Sequence, residues 1–481
     1  MGIGRSRGLT KIGRIYLIKY FIYTYMPKIT GEYEKKILQT LRKAVDNAEI
    51  KQGMEMISDP KILEIIDIVE AFIKKKKRVC YGGTAINNIL PLEDQFYNKK
   101  IEFPDYDFYS PRAVDDAKEL ADIYYKKGYN TVEAKSGVHH GTYKVYVNFI
   151  PVADITQLVP EIYKSVLKKS MRVAGIYYAP PDLLRMAMYL ELSRPMGDIS
   201  RWEKVLKRLI ILTKHFPLKG EGCKDINVQR LFGGNKKMGE DVFNVTRDAL
   251  IGQDVVFFGA FAHRMYLNNL KKFKKKKIPR VPDFDVLSKD PARTAGIIME
   301  RLEEHGLSKI KIVKRKGVGE IIAPHYEVRV GPETVVFIYE PLACHNYNKI
   351  KLGNYNIRIA TIDTMLSFYL AFLFIDRPYY DPKRILCMSE YLFEVQKQNM
   401  LKQEGILKRF SIDCYGTQPT MASIRAAKNE RYEDMKRQKR KNKKEWDEWF
   451  LTYKPAEKKK GSQTKKNRKN RRKRRKGTRR P

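Results

Sequence analysis

Asp105 and Asp107 stand one residue apart in the stretch Phe103-Pro-Asp-Tyr-Asp-Phe108. On an extended backbone the two-residue period of a strand turns both carboxylates to the same side. Two carboxylates held a few ångströms apart repel, and a divalent cation relieves that repulsion, so the pair predicts a Mg2+ site. Asp154 lies in a second strand-like run, Val145 to Ile155, interrupted by Pro151, and can complete a set of three. Three carboxylates can hold two metals, one polarising an attacking hydroxyl and the other neutralising a leaving pyrophosphate. Upstream, Gly82 and Gly83 follow a short apolar run and precede a helical one. A glycine pair at such a turn lets a phosphate approach the backbone without interference from Cβ, facing the first amides of the helix. Thr84 adds a hydroxyl suited to a triphosphate.

Each piece has a plainer explanation when taken singly. A glycine pair is usually just a turn, an Asp-x-Asp pair two solvated acids, and a lone Asp a helix cap. The ordered combination in a strongly basic chain is what selects nucleotide chemistry. In-line attack on a bound nucleoside triphosphate needs little beyond positioning and charge neutralisation.

These residues need elements to hold them. Apolar residues recur at steps of three and four between Ile29 and Lys75, which predicts two helices ahead of the glycine turn. Arg78 to Thr84 reads as a strand running into that turn, and Ala85 to Leu90 as a helix stopped by Pro91. The pattern returns about 180 residues later. Val255 to Ala262 echoes Val79 to Ala85, Val281-Pro-Asp-Phe-Asp-Val286 echoes the Asp pair, and Val336 to Cys344 echoes Val147 to Asp154. The expected fold class is therefore α/β (α+β), with duplicated mixed sheets, helical appendages and a basic disordered C-terminal tail.

In the second copy Asp283 and Asp285 persist, but the glycine turn has become Gly259-Ala260-Phe261 and the third acid aligns with Cys344. Phe261 would crowd a phosphate and offers it no hydroxyl. The second copy is expected to be catalytically dead. The expected division is a basic extension at 1–28, helices and a catalytic domain at 29–222, a degenerate copy at 223–410, a basic helical segment at 411–456, with Tyr432 to Trp449 as its helix, and a disordered Lys/Arg tail at 457–481.

The formal net charge of +40 attracts polyanions, and nucleic acid is the first partner it suggests. Lys458 to Pro481 carries 15 Lys and Arg without an acid and Met1 to Lys28 carries 6, yet the remainder is still basic. The 5 cysteines are odd in number, scattered and free of C-x-x-C pairs, which argues against a disulfide framework and a zinc site and for a reducing compartment. No run approaches the ~20 apolar residues of a transmembrane helix. Met365 to Ile375 reads as a buried helix. Gly2 and Ser6 match a myristoylation pattern, although a start at Met26 fits the sequence equally well.

The motif block resembles the DNA polymerase β-like nucleotidyltransferase superfamily, with its glycine turn, acid-x-acid pair and third acid on a later strand. Tyr81-Gly-Gly-Thr-Ala-Ile-Asn-Asn88, Pro104 to Ser110 and Gly137-Val-His-His-Gly-Thr-Tyr143 resemble more closely the poly(A) polymerase catalytic subunits of the poxvirus, asfarvirus and mimivirus group. That resemblance extends over roughly Ile29 to Phe393. It implies ATP as substrate, with its phosphates on Gly82, Gly83 and Thr84, and catalytic Mg2+ or Mn2+ on Asp105, Asp107 and Asp154. It further implies RNA 3′ ends as partner, a homodimer or a viral processivity partner, action in the host cytoplasm or viral factory, and packaging in the virion. The interval between Gly83 and Asp105 is longer than in the superfamily pattern. Nothing in the spacing selects adenine, so U- or CCA-adding enzymes and oligonucleotide synthases fit the same residues. A non-catalytic RNA-binding subunit fits the charge alone.

Overall fold

The computed structural model describes residues 31–98, 104, 106–224, 227, 229–230, 232–233, 236–270, 281–399, 402–437 and 442–456. The readings placed on residues 1–28, on Asp105 and on the tail at 457–481 lie outside them. Among the described residues, 31–63 and 98 fall in one compact unit, and both sheets lie in the other. The first unit is mainly the helix α1 (Glu32–Ile57) and the first turn of α2 (Pro60–Lys76). The two helices expected before the glycine turn are these.

The first sheet gathers β1 (Val79–Cys80), β2 (Asp107–Ser110), β3 (Val132–Ser136), β4 (Thr142–Val147), β5 (Ile150–Gln157), β6 (Met171–Val173) and β7 (Ile176–Tyr178). Its helices are α3 (Gly82–Ile89), α4 (Ala113–Lys126), α5 (Pro160–Lys169), α6 (Pro181–Leu192) and α7 (Trp202–His215). After α8 (Lys236–Gly252), the second sheet follows with β8 (Val256–Phe257), β9 (Phe284–Leu287), β10 (Ile310–Arg315), β11 (His325–Val330), β12 (Glu333–Tyr339), β13 (His345–Leu352) and β14 (Tyr355–Ala360). Its helices are α9 (Ala260–Leu267), α10 (Pro291–Glu304), α11 (Ile362–Phe372) and α12 (Pro382–Gln398). The chain then adds β15 (Cys414–Tyr415), α13 (Met421–Lys436), α14 (Lys443–Phe450) and β16 (Thr452–Tyr453).

Strand order exposes the duplication. The first sheet runs β16-β3-β4-β5-β2-β1-β7-β6 and the second β10-β11-β12-β9-β8-β14-β13-β15. Without the single strand added at opposite edges by the C-terminal segment, the two orders coincide strand for strand. α6 and α11, the apolar helices after each copy's last strand, pack on each other. The Asn346 amide donates to the Ser193 carbonyl at 2.9 Å between the copies. α11 is buried along nearly its whole length, as the run Met365 to Ile375 predicts.

The first sheet has one packed face and one open face, as alternation requires. Phe108, Tyr143, Val145, Val147 and Ile155 turn inward, with Val69, Phe72 and Ile73 of α2 and Leu120, Ala121 and Tyr124 of α4 also in the core. Each fully buried side chain of this size contributes roughly 1.5–3 kcal/mol. The opposite face keeps Asp107, Tyr109, Lys144, Tyr146, Asp154 and Thr156 partly accessible.

Three expectations are corrected. Val145 to Ile155 is not one strand broken at Pro151 but a hairpin, β4 and β5, turned at Asn148 and Phe149, both with positive φ. Pro151 sits near the start of β5, where its missing N–H costs the ladder least. The basic helix expected at Tyr432 to Trp449 is two helices, α13 and α14, on either side of residues 437–442. Finally, four of the five cysteines form disulfides, Cys223–Cys387 and Cys344–Cys414, with sequence separations of 164 and 70. Only Cys80 is a free thiol, and it is buried. At such separations the pairing is decided by which strands and helices meet, and local spacing carries no trace of it.

Candidate active site

The glycine turn is held against the acid strand by the backbone itself. The Tyr81 amide donates to the Asp107 carbonyl at 2.9 Å, and Gly82 follows at φ +73°. That conformation suits glycine, and a Cβ there would also lie 2.9 Å from Asp107 Oδ2. Gly83 is needed for a different reason. A Cβ on it would lie 2.5 Å from the Tyr97 hydroxyl and 3.0 Å from both Arg208 terminal nitrogens. α3 starts at this pair, so its N-terminal amides and the Arg208 guanidinium concentrate positive potential on the same spot. Thr84 is buried just inside.

Asp107 and Asp154 are paired neighbours on the parallel strands β2 and β5. Paired positions on adjacent strands share a face, about 4.8 Å apart. Asp154 is paired in turn with Lys144 on β4, and the Lys144 ammonium makes a short ion pair with its carboxylate. Tyr81 stacks on Tyr109 with centroids 4.0 Å apart and bonds the Thr156 hydroxyl at 2.8 Å. Burial, then Tyr109 and Asp107, push the Tyr81 phenol well above its usual range, so it stays neutral.

Asp107, Asp154, Gly82, Gly83 and Thr84 are thus brought together, while Asp105 lies outside the described residues. Among those residues, no group of three or more His, Cys, Asp or Glu gathers at metal-holding distance. The donor chemistry still suits a hard divalent cation, because two carboxylates share a face and a cation, the Lys144 ammonium, already sits on one of them.

The long interval after Gly83 is pinned at its start. The Asn87 side-chain carbonyl accepts the Phe96 and Tyr97 amides, both at 2.8 Å. Tyr97 in turn accepts from Arg208 at 2.6 Å, and the guanidinium lies over the Phe96 ring at 4.9 Å. Sequence reasoning missed both Arg208 and Lys144. Lys144 alternates with buried Tyr143 and Val145, a pattern that marks it as open-faced without naming its partner. Arg208 lies on α7, far along the chain, and no local signal points to it.

The second sheet presents the same positions with different contents. The Phe258 amide donates to the Asp285 carbonyl at 2.9 Å, matching Tyr81 and Asp107. The residue paired with Asp285 on β12, however, is Phe337. Cys344, the expected counterpart of Asp154, instead lies beyond the end of β12 in a disulfide. The register corrects the alignment because short apolar strands can slide against one another in sequence but not in a hydrogen-bonded ladder. Arg230 lies over the pair of Asp285 and Phe337. Its guanidinium pairs with Asp283, lies 3.4 Å from Asp285 Oδ1 and sits 4.7 Å over the Phe337 ring. Burial favours the neutral form of Arg230, and Asp283 and Asp285 outweigh it, so its pKa is raised and it stays charged.

Comparison with known proteins shows what the chain is similar to. Residues 67–198 match the family model for the poly(A) polymerase catalytic subunit. A protein of Acanthamoeba polyphaga mimivirus, provisionally named a poly(A) polymerase catalytic subunit, is 32% identical over 197 residues, 40% of this chain and 33% of that protein. One from African swine fever virus (strain Badajoz 1971 Vero-adapted), with the same provisional name, is 32% identical over 173 residues, 35% of this chain and 36% of its own length. The chain therefore spans about a third of the length of the curated relatives it matches. The crystal structure of the Megavirus polyadenylate synthase superposes with a TM-score of 0.73 at 22% identity, over 94% of this chain and 89% of that one. The stretch that holds Gly82, Gly83, Thr84, Asp107 and Asp154 thus bears the signature of the poly(A) polymerase catalytic subunit family, in a fold shared over nearly the whole chain with a viral polyadenylate synthase.

Proposed function

We propose that this chain is a template-independent polynucleotide adenylyltransferase that adds AMP from ATP to RNA 3′ ends. The observation that carries the reading is the alignment of Asp107 and Asp154 on one face beside the Gly82-Gly83 turn, within the segment that matches the family. The RNA 3′ oxygen forms a bond to the α-phosphorus of ATP, the bond to the bridging oxygen breaks, and pyrophosphate leaves while the hydroxyl proton passes to solvent. Gly82, Gly83 and Thr84 receive the triphosphate, and the Arg208 cation beside Gly83 offsets its charge. Asp107 and Asp154, with Asp105 by the family pattern, are the residues that would hold Mg2+ or Mn2+, which supplies charge neutralisation at the phosphates. Lys144 neutralises Asp154 in the free protein and so keeps two facing carboxylates from repelling each other.

In this reading residues 29–222 form the catalytic domain, 223–410 a degenerate copy, and 411–456 an appended segment, with basic ends at 1–28 and 457–481. The viral relatives support action in the host cytoplasm on viral transcripts, and the charge of the tail at 457–481 suits RNA tethering or a localisation signal as well as a plain solvated extension. The defining assay is purified protein with an oligo-RNA primer, each NTP in turn, and Mg2+ or Mn2+. AMP incorporation from ATP alone supports the assignment. CTP or UTP use would move it to another terminal transferase, and substantial tailing by an Asp105→Ala/Asp107→Ala variant would overturn the site.

A further inference from the structure

The acid pair is one end of a row that crosses four strands. Asp107 pairs with Asp154, Asp154 with Lys144, and Lys144 with Lys135. Paired positions share a face, so the row passes from two carboxylates to two ammonium groups over about 15 Å, three strand spacings. β16 closes the sheet beyond it, with Thr452 paired to Lys135, and α13 and α14 precede that strand. Here lies a groove of about 550 Å3, lined by Lys135, Lys144 and Tyr146 from the sheet and by Arg425, Lys428 and Tyr432 from α13.

The charged side chains on this lining are all cationic. Lys135 is bonded to Glu133 at 3.2 Å and lies 4.4 Å from the Tyr146 ring, and Lys144 is bonded to Asp154. Lys428 is tied to the sheet, donating to the Gly137 carbonyl at 2.6 Å. Arg425 and Asn429 are exposed, and Tyr432, exposed at its edge, is braced by Trp446 and Phe450 with centroids 5.3 Å away in each case. Cations interleaved with aromatic faces suit a single-stranded nucleic acid, whose phosphates and bases alternate in the same way.

Sheet order says which nucleic acid end. The glycine turn joins β1, on one flank of β2, whereas β4 and β3 lie on the other flank, beyond β5. In-line displacement puts the entering and leaving oxygens on opposite sides of the phosphorus. With the triphosphate at the glycine turn, the attacking strand comes from the β4 side. We infer that the groove between β3, β4 and α13 holds the last nucleotides of the RNA primer and delivers its 3′ end to Asp107 and Asp154. The C-terminal segment is then the roof of the primer channel. This rests on the transferase reading for the identity of the end delivered, but binding is measured without catalysis.

The test uses the full chain and a 5′-labelled single-stranded oligo(A) RNA, with affinity read by fluorescence anisotropy. Arg425→Glu is expected to weaken RNA binding at least tenfold and to flatten its salt dependence, leaving the KM for ATP within twofold. Asn429→Asp, nearly isosteric and exposed, should weaken it in the same direction even if the first variant folds poorly. Arg425→Lys should restore most of the affinity. Lys436→Glu, an equal charge change on α13 that does not line the groove, should have little effect. RNA affinity within twofold of wild type in both groove variants would overturn the proposal, as would an equal loss in Lys436→Glu or equal competition by an oligo-glutamate peptide. If the wild type incorporates no nucleotide while the groove variants still lose RNA, the transferase reading fails and the RNA site stands. Incorporation that is indifferent to both variants sinks the groove alone.

Discussion

The two sheets share strand order and even the amide that ties the turn to the acid strand, yet they have resolved the same electrostatic problem in opposite ways. In the first, Asp107 faces Asp154, the cation on Asp154 is a partly exposed lysine on the open face of the sheet, and a glycine turn lies alongside. In the second, Asp285 faces Phe337, and the cation is the inward-held Arg230, sealed against the ring. A lysine on a flexible stem can move aside for another cation, whereas a planar guanidinium stacked and forked between two carboxylates is a fixture. In the second sheet the duplicated acids hold a guanidinium against the packed interior, whereas Asp107 and Asp154 stay partly accessible. Conservation of an acid pair between two halves of one chain therefore does not by itself mean two reactive centres.

The largest effect expected is at the first pair. Asp107→Asn or Asp154→Asn should lower AMP incorporation by about a thousandfold or more, roughly 4 kcal/mol in the barrier. Asp285→Asn should leave the rate per folded molecule within about threefold of wild type, taking threefold as roughly 0.7 kcal/mol. Equal losses at both sites would end the distinction. For Arg230→Met the outcome should be the reverse, an unfolding free energy lower by about 3–5 kcal/mol with the rate per folded molecule preserved, because buried Asp283 and partly buried Asp285 lose their nearest counter-ion. Among the described residues Asp283 then keeps only Arg384, at 3.8 Å. Adding Asp283→Asn and Asp285→Asn to that variant should recover most of the loss in denaturant titrations.

Acid should separate the halves as well. His263 and His345, both in the second copy, are pushed down by burial to about 4 and about 3. Since the unfolded chain protonates near pH 6.5, their contribution is complete above that pH and is lost as pH falls toward the folded values. The loss is about 2 kcal/mol per histidine by pH 5. Hydrogen exchange followed from pH 7 to pH 5, corrected for intrinsic rates, should show the second copy loosening first, and the first copy opening earlier would contradict it. The smallest contrast is at the turns. Gly82→Ala must adopt a left-handed backbone at a cost of about 1–2 kcal/mol and should raise the KM for ATP. Gly259→Ala, whose Cβ would lie 1.9 Å from Asp285 Oδ2, should reduce melting temperature and leave that KM unchanged.

Much of the comparison could be read before any coordinates. Gly82, Gly83, Thr84, Asp107 and Asp154 are nominated by residue type and order, and the repeat by its echo at Gly259 and Asp285. What misled was anything that depends on strands meeting. The match of Cys344 to Asp154 followed similarity along the chain, and the ladder replaced it with Phe337. The scattered cysteines suggested free thiols because pairing partners up to 164 residues apart leave no local mark.

By itself the sequence determined the alternation that opens one face of a sheet, the glycines at a turn, the paired acids and the excess of positive charge, since these follow from short-range periodicity and composition. Which cation answers which acid was decided only by the tertiary structure. Lys144 and Arg230 differ in reach, burial and register, and these are fixed by hydrogen-bonded ladders and packing between distant segments rather than by spacing along the chain.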